Sequence, residues 1–175
     1  VSQAKTALAE APVRIATVSN FPHGRPDIAD AVATAKQAVA DGADEVDVVW
    51  PYDSWLNGNT VIAGDLVSAS KDACGPEAHL KVILETGRLQ TAEAIAGSSR
   101  DAIAAGADFI KTSTGKTSVS ATLEAAHIML EAIRESGRPV GLKPSGGIRT
   151  TGQAIAYLRL ADRIMGPGWA TPETF

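Results

Sequence analysis

Short apolar or β-branched runs alternate along the chain with longer segments in which apolar residues recur at helical spacing. The runs predicted as strands lie at residues 14–18, 45–49, 81–84, 109–111 and 140–143. A short apolar run suits a buried strand, whereas apolar residues at every third or fourth position suit one face of a helix. The alternation predicts a parallel sheet covered by helices, because consecutive parallel strands need a crossover between them.

One helix is predicted after each of these strands. The first begins at Asp27, an N-cap residue, with Asp30 three positions on. Its buried face is predicted to consist of Ile28, Val32, Ala35 and Val39. The other helices are predicted over residues 65–74, 91–105, 122–136 and 151–164. Gly137 directly follows the helix over 122–136, where a left-handed C-cap favours glycine.

The spacing of the strands matches βα units. Their starts, placed near residues 14, 45, 81, 108 and 139, are 27 to 36 residues apart, and Gly-Ala-Asp precedes a strand both at residues 42–44 and at 106–108. Eight such units make a (β/α)8 TIM barrel of about 250 residues, so these 175 residues hold fewer than six. An open doubly wound sheet also fits the alternation, but no Gly-x-Gly-x-x-Gly or P-loop motif follows a strand. We therefore expect an α/β fold over residues 1–175, a single domain forming an incomplete barrel of about five βα units.

Composition narrows the range of partners and compartments. The chain has 16 Lys and Arg against 20 Asp and Glu, a net charge of −4 and a pI near 5.3, which disfavours nucleic acid and anionic membranes as partners. Hydrophobic residues make up 45% of it and the mean hydropathy is near zero, as in a globular domain. Its one cysteine, Cys74, is expected to be a small core residue. A single cysteine cannot form an internal disulfide, and the sequence as given does not open with a leader segment. Both observations predict a cytoplasmic protein.

Charged residues interrupt several predicted strands, which is unexpected where helices cover parallel strands. Asp47, Lys111 and Lys143 lie in different strands, and each alone could be a structural ion-pair partner or point to an exposed strand end. Carboxyl ends of barrel strands converge on one mouth, so together the three suggest an amine made neutral and nucleophilic by a cationic neighbour. Lys81 and Glu85 could form an internal ion pair beneath them.

Five runs of the sequence resemble the deoxyribose-phosphate aldolase family, in order and over essentially the whole chain. They lie at residues 16–24, 44–49, 81–87, 106–116 and 141–149. The most specific are Lys-Thr-Ser-Thr-Gly-Lys, which starts at Lys111, and Lys-Pro-Ser-Gly-Gly-Ile-Arg, which starts at Lys143.

The resemblance implies a role for each of the three charged residues. Lys111 would be the Schiff-base lysine, Lys143 the neighbouring lysine that favours its neutral form, and Asp47 the carboxylate that shuttles protons around the carbinolamine. The implied reaction is reversible cleavage of 2-deoxy-D-ribose 5-phosphate to acetaldehyde and D-glyceraldehyde 3-phosphate. Since a protonated imine acts as the electron sink, no metal and no organic cofactor are expected.

Phosphate binding is expected in the loops that follow the two lysines. Gly146 and Gly147 stand where strand turns to helix, so their backbone N–H groups can approach an anion. Lys116 would add a positive charge, although a plain turn and a solvated lysine are the simpler alternatives. Thr114, rather than Ser113, is favoured to bind a substrate hydroxyl, unless both merely cap the loop.

By the same resemblance the chain corresponds to strands three to seven of the family's barrel and lacks the first two and the eighth. Such an arc would expose two sheet edges, so a homo-oligomer, most simply a dimer, is expected. The expected small-molecule partners are a phosphorylated sugar and acetaldehyde. Two alternatives remain: another phosphate-binding barrel enzyme such as a transaldolase-like transferase, or a catalytically silent truncated barrel that acts only by association.

Overall fold

A single parallel sheet of five strands organises the molecule. The computed structural model describes residues 1–9 and 11–175. The strands lie side by side in chain order, β1 (Ala16–Ser19), β2 (Glu45–Val49), β3 (His79–Ile83), β4 (Phe109–Lys111) and β5 (Gly141–Lys143). All four neighbouring pairs are parallel, as the alternating pattern predicted.

Eight helices connect or flank these strands in the described part of the chain. They are α1 (Ser2–Leu8), α2 (Ile28–Ala40), α3 (Tyr52–Leu56), α4 (Thr60–Cys74), α5 (Thr86–Leu89), α6 (Ala92–Ala104), α7 (Leu123–Ser136) and α8 (Thr151–Met165). The five predicted helices are α2, α4, α6, α7 and α8. The remaining three contain seven residues or fewer and were not predicted, because so short a segment shows little periodicity. None of the helices in residues 1–9 and 11–175 is long and apolar enough to cross a membrane.

Capping residues explain most of the helix boundaries. The Asp27 carboxylate accepts a hydrogen bond from Asp30 N at 3.0 Å, which confirms the predicted start of α2. Gly137 has φ 63° and ends α7 in the left-handed conformation, as expected. Helix α4 begins at Thr60, five residues earlier than predicted, because Asn59 accepts the Ile62 N–H and caps it there.

The two faces of the sheet differ in chemistry. One face is apolar and fully buried against the helices α2, α4, α6 and α7, and it is formed by Val46, Val48, Leu80, Val82, Ile110 and Leu142. Side chains alternate along a strand, so the residues between these point to the opposite face. That face carries Glu45, Asp47, Lys81, Phe109, Lys111 and Lys143. The charged residues within the strands therefore do not enter the helix-covered core. They lie on the opposite face, which is the inner face of the sheet in a closed barrel.

The two edges of the sheet are not equally open. At the β5 edge, Leu142 N donates a hydrogen bond of 2.8 Å to Thr174 O, so the segment after α8 begins to pair with β5. Trp169 and Phe175 stack edge to face at 6.3 Å and pack against the core beside this contact. The β1 edge is the open one, and Val18 in its centre is 40% exposed. Of the two edges predicted to be exposed, one is thus partly covered.

Candidate active site

A lysine and an aspartate form a close ion pair across the sheet, with Lys111 at the carboxyl end of β4 and Asp47 in the middle of β2. Lys111 Nζ lies 2.6 Å from Asp47 Oδ2, although β2 and β4 are separated by a whole strand. Both side chains are largely shielded from water, which strengthens their interaction. The sheet therefore brings two of the predicted catalytic residues together, with the carboxylate placed to take a proton from the amine.

Lys143 stands beside Lys111 on the neighbouring strand. The two residues are Cα partners in the β4–β5 register, so their side chains leave the same face of adjacent strands, about 4.8 Å apart. Unlike Lys111, Lys143 is exposed, and it forms no ion pair with any carboxylate in residues 1–9 and 11–175. Lys143 thus lies on the strand next to Lys111, on the same face of the sheet. Its role as the cationic neighbour that favours the neutral amine of Lys111 stays a prediction.

A third lysine lies beneath this pair and is more deeply buried than either. Lys81 is 3% exposed, forms an ion pair with Glu45, and places its Nζ 3.6 Å from Asp47 Oδ1. Asp47 Oδ1 has no hydrogen-bond partner among the described residues. Four charges of alternating sign, Glu45, Lys81, Asp47 and Lys111, therefore run in a continuous line across β2, β3 and β4.

The suggested ion pair between Lys81 and Glu85 is wrong. Lys81 is the Cα partner of Asp47, so its side chain projects beside that carboxylate. Glu85 lies beyond the end of β3 with φ 56° and ψ 61°, and this left-handed backbone turns its side chain toward the loop after β4. The carboxylate of Glu85 instead accepts hydrogen bonds from Thr114 and Thr117.

Hydrogen bonds tie the loop after Lys111 to the loop after Lys143. Ser113 Oγ donates to Ser145 O at 2.7 Å, and Ser145 Oγ donates back to Ser113 O at 2.9 Å. Ser145 N also donates to Thr112 Oγ1 at 2.9 Å. Because Thr112 and Ser113 are fully buried, these bonds form away from water and fix the two lysine-bearing strand ends relative to each other.

The two glycines of the second loop adopt the backbone that their predicted role requires. Gly146 and Gly147 have φ of 84° and 82°, and a Cβ on Gly146 would lie only 2.7 Å from Ser120 Oγ. Neither N–H group donates to an acceptor in the part of the chain that the structure describes. Two amide donors thus remain available beside the amino end of α8, as an anion site needs.

Thr114 and Lys116 lie on the loop that faces these glycines. The Thr114 hydroxyl donates to Glu85 Oε2 and accepts the Lys116 N–H at 3.0 Å, so it orders the loop. Whether Thr114 also binds a substrate hydroxyl stays a prediction. The Lys116 side chain is exposed and forms no ion pair within residues 1–9 and 11–175, which leaves its charge available.

Sequence reasoning missed the bond network around Ser145 and misplaced Glu85. A signal for Glu85 was present, since a carboxylate directly after the run from Lys81 to Leu84 would enter a buried region and need partners there. Ser145 offered no such signal, because a serine next to paired glycines is ordinary turn composition.

Sheet and site together define an α/β protein of the (β/α)8-barrel class, with an amine–carboxylate pair across its strands and a glycine loop at their carboxyl ends. The family model described as DeoC/LacD family aldolase matches residues 1–165, and the chain belongs to this family.

Individual relatives agree with this membership. A deoxyribose-phosphate aldolase of Agrobacterium fabrum is 52% identical over 176 residues, covering 100% of this chain and 68% of the relative. A solved structure from Coccidioides immitis, provisionally assigned as a deoxyribose-phosphate aldolase, has a TM-score of 0.85 at 33% identity and covers 91% of this chain and 62% of its own. The tetrameric deoxyribose phosphate aldolase of Aeropyrum pernix has a TM-score of 0.74 at 26% identity, covering 91% and 64%. The chain thus spans 62% to 68% of the length of these three proteins.

Proposed function

We propose that the protein containing this chain is a class I aldolase that reversibly cleaves 2-deoxy-D-ribose 5-phosphate to acetaldehyde and D-glyceraldehyde 3-phosphate. The observation that carries the proposal is the 2.6 Å contact between Lys111 Nζ and Asp47 Oδ2, in a chain of an aldolase family. A shielded amine next to a carboxylate is the pair that imine chemistry uses.

Imine formation is the first step of the proposed mechanism. Lys111 Nζ, after passing a proton to Asp47, attacks the C1 aldehyde and forms a carbinolamine. Asp47 returns the proton to the carbinolamine hydroxyl, water leaves, and a protonated imine remains on Lys111. The short distance between the two groups supports this assignment, since a general acid–base must lie within hydrogen-bond reach.

Carbon–carbon cleavage follows from the imine. The Asp47 carboxylate accepts the proton of the C3 hydroxyl, the C2–C3 bond breaks, and the electron pair moves into the iminium to give a neutral enamine, to which Asp47 can return the proton at C2. D-glyceraldehyde 3-phosphate leaves as the aldehyde. Protonation of the enamine at C2 and addition of water then release acetaldehyde and restore the Lys111 amine. The positive charge of Lys143 on the adjacent strand would favour the neutral form of Lys111 at the start of each cycle.

Phosphate is proposed to bind between the glycine loop and the loop after Lys111. The free N–H groups of Gly146 and Gly147 would donate to phosphate oxygens, and Lys116 would supply the charge. Thr114 would contribute by ordering the loop and, as predicted, by binding a substrate hydroxyl. The proposal names no metal and no organic cofactor, because the lysine itself supplies the electron sink.

Borohydride trapping tests the proposal. Reduction of the full-length enzyme in the presence of acetaldehyde should add an ethyl group to the peptide that contains Lys111. Lys111→Met should abolish the label, whereas Lys36→Met, on the exposed side of α2, should keep it. Labelling at Lys143 with none at Lys111 would reverse the two roles, and no label at all would refute the imine mechanism.

Lys143→Leu separates the electrostatic role from a structural one. Loss of a positioned charge partner should lower turnover at neutral pH by on the order of 10²-fold. Because Lys143 is exposed, folding should be little affected. Full activity would show that Lys143 takes no part in the reaction.

Several properties of the whole protein belong to the proposal too. We propose that the described residues form one domain, that the protein is a homo-oligomer, and that it works in the cytoplasm. The open β1 edge and the tetramer described for the Aeropyrum pernix relative support association. The free, buried Cys74 suits a reducing compartment. Aldolase activity of residues 1–175 expressed on their own would show whether five strands suffice.

A further inference from the structure

Glu85 is a fully buried carboxylate that the proposed mechanism does not use. Its side chain is 0% exposed, and no Lys, Arg or His nitrogen in residues 1–9 and 11–175 lies within ion-pair distance. Three donors satisfy it: Thr114 N at 3.2 Å, the Thr114 hydroxyl, and Thr117 Oγ1 at 3.1 Å. A buried charge without a cation is costly, so such a residue calls for an explanation.

The backbone at Glu85 is held in an uncommon conformation from both sides. Leu84 N donates to Lys111 O and Thr86 N to Thr112 O, both at 2.9 Å, so β3 stays paired with the chain after β4 through this point. Between these bonds Glu85 has φ 56°, a left-handed conformation that is unfavourable for a non-glycine residue. The strained residue is therefore fixed in direction, with its carboxylate aimed at the loop after Lys111.

That loop is docked on Glu85 and its neighbours. Thr114, which donates twice to Glu85, in turn accepts the Lys116 N–H. Thr117 Oγ1 lies within hydrogen-bond distance of both Glu85 and Val119 O, and Gly87 leaves no room for a Cβ because Val119 packs on it. The segment from Thr114 to Val119 is thus attached to the end of β3 at three points.

The far side of the same loop touches the glycine loop. Ala121 N donates to Gly146 O at 3.3 Å, and Ser120 fills the space beside the Gly146 Cα. The loop therefore spans from Glu85 to the glycines, with the exposed Lys116 between them. Any change in how it docks on Glu85 would move the Lys116 charge relative to the free amide groups of the glycine loop.

We propose that Glu85 is a positioning residue that gives the site its preference for phosphorylated over unphosphorylated substrates. The inference rests on the proposed function. Hydrogen bonds to an ionised carboxylate are about twice as strong as neutral ones, so Glu85 holds the loop in one conformation before the ligand arrives. An anion then binds without the cost of ordering the loop. Imine formation uses Lys111 and Asp47, neither of which forms a hydrogen bond with Glu85, and any hydroxyl contact with Thr114 is common to phosphorylated and unphosphorylated substrates.

Glu85→Gln in the full-length enzyme tests this inference. The amide keeps the shape of the side chain but removes its charge and one of its two acceptor oxygens, so the charge-assisted hydrogen bonds to Thr114 become neutral ones and Thr117 can no longer donate to Oε1. KM for 2-deoxy-D-ribose 5-phosphate should rise about tenfold or more with kcat changed less than threefold, and kcat/KM for unphosphorylated 2-deoxy-D-ribose should stay within about twofold. Thr117→Val, which removes one of the three donors, should give a smaller rise. Glu93→Gln, at an exposed position of α6, is the matched control and should change nothing.

Binding of inorganic phosphate supplies a readout that does not depend on the reaction. Isothermal titration calorimetry should give weaker phosphate binding for Glu85→Gln than for the wild type, while borohydride trapping at Lys111 stays intact in both. An equal loss of activity on both substrates, or unchanged KM and phosphate affinity in Glu85→Gln and Thr117→Val, would overturn the positioning role. Failure of trapping in the wild type would refute the aldolase proposal. The phosphate affinities of the wild type and Glu85→Gln would still show, by themselves, whether Glu85 positions the phosphate-binding loop.

Discussion

Replacing Lys81 by methionine should destabilise the protein strongly, because this buried lysine neutralises two carboxylates. Its ammonium pairs with Glu45 and lies 3.6 Å from Asp47 Oδ1, an oxygen with no hydrogen bond among the described residues. Methionine has a similar length and keeps the packing of the stem, so the substitution removes the charge and little else.

The size of the effect follows from what remains after the lysine is gone. Removing one partner of a buried ion pair costs about 3–5 kcal/mol when the other charge stays uncompensated. Asp47 would still contact Lys111 at 2.6 Å, and Glu45 would still have Arg14 at 3.8 Å, a side chain that is half exposed and screened by water. We therefore expect a loss near the lower end, about 3 kcal/mol, against a total stability of about 5–15 kcal/mol for a typical domain.

Urea denaturation followed by circular dichroism measures this loss. Lys5→Met is the matched control, since Lys5 also pairs with an aspartate, Asp44 at 3.7 Å, but half of its side chain is exposed; it should cost about 1 kcal/mol or less. The double variant Glu45→Gln/Lys81→Met leaves one positive and one negative charge, Lys111 and Asp47, in the line of contacting charges and should recover part of the loss, a non-additive result. If Lys81→Met destabilised the protein no more than Lys5→Met, the assignment of Lys81 as the central charge of the row would be refuted.

Further predictions concern the buried Cys74 and two glycines, Gly141 and Gly64. Burial raises the pKa of the Cys74 thiol to about 11, so the thiol should resist iodoacetamide at pH 8 and react only after denaturation; rapid labelling of the native protein would contradict this. Because the pKa of Cys74 in the folded protein exceeds its ordinary value of 9.0, its contribution to stability is complete below pH 9 and is lost between pH 9 and 11. The denaturation midpoint should therefore fall across this range. The same midpoint should not show this fall when Cys74 is replaced by alanine. Gly141→Ala should cost about 1–3 kcal/mol because its Cβ would overlap the Phe109 ring. Gly64→Ala, in α4 with nothing within 4 Å, should instead stabilise the protein by about 0.5–1 kcal/mol, and similar midpoints for the two variants would rule out the steric explanation.

The order of strands and helices could be predicted because each element carries its own local signal. The strand over 45–49 and the helix caps at Asp27 and Gly137 depend on residues a few positions apart. The buried face of α2 was harder to predict from the sequence. Ala31, Ala35 and Ala38 are buried, whereas three of the four residues predicted for this face are only half-buried. Small alanines let the helix approach the sheet closely, and a hydrophobicity pattern that favours Ile and Val overlooks them.

The candidate site was predictable to the extent that its residues were conspicuous. Charges inside parallel strands conflict with burial, and this conflict in three strands at once singled out Asp47, Lys111 and Lys143, of which the sheet brings the first two to 2.6 Å. The interaction partners of Lys81 and Glu85 could not be predicted from the sequence. Lys81 and Glu85 have opposite charges at helical spacing, but Lys81 lies in the middle of β3 and Glu85 beyond its end, where the left-handed backbone of Glu85 turns its side chain away from Lys81. A backbone angle at one position is decided by tertiary contacts, and no periodic pattern encodes it.

Phe109 helps to shield the line of charges, which lies on the face of the sheet opposite the helices α2, α4, α6 and α7. Lys81, Phe109 and Gly141 are Cα partners across β3, β4 and β5, and the ring leans into the space that a side chain on Gly141 would fill. From there the ring centroid lies 5.7 Å from Lys81 Nζ, close enough for a cation–π contact. An aromatic ring in this place excludes water from the lysine on the side toward β5. The three residues of β5 therefore meet three separate demands: no side chain at Gly141, an apolar one toward the helices at Leu142, and a charged one toward the site at Lys143.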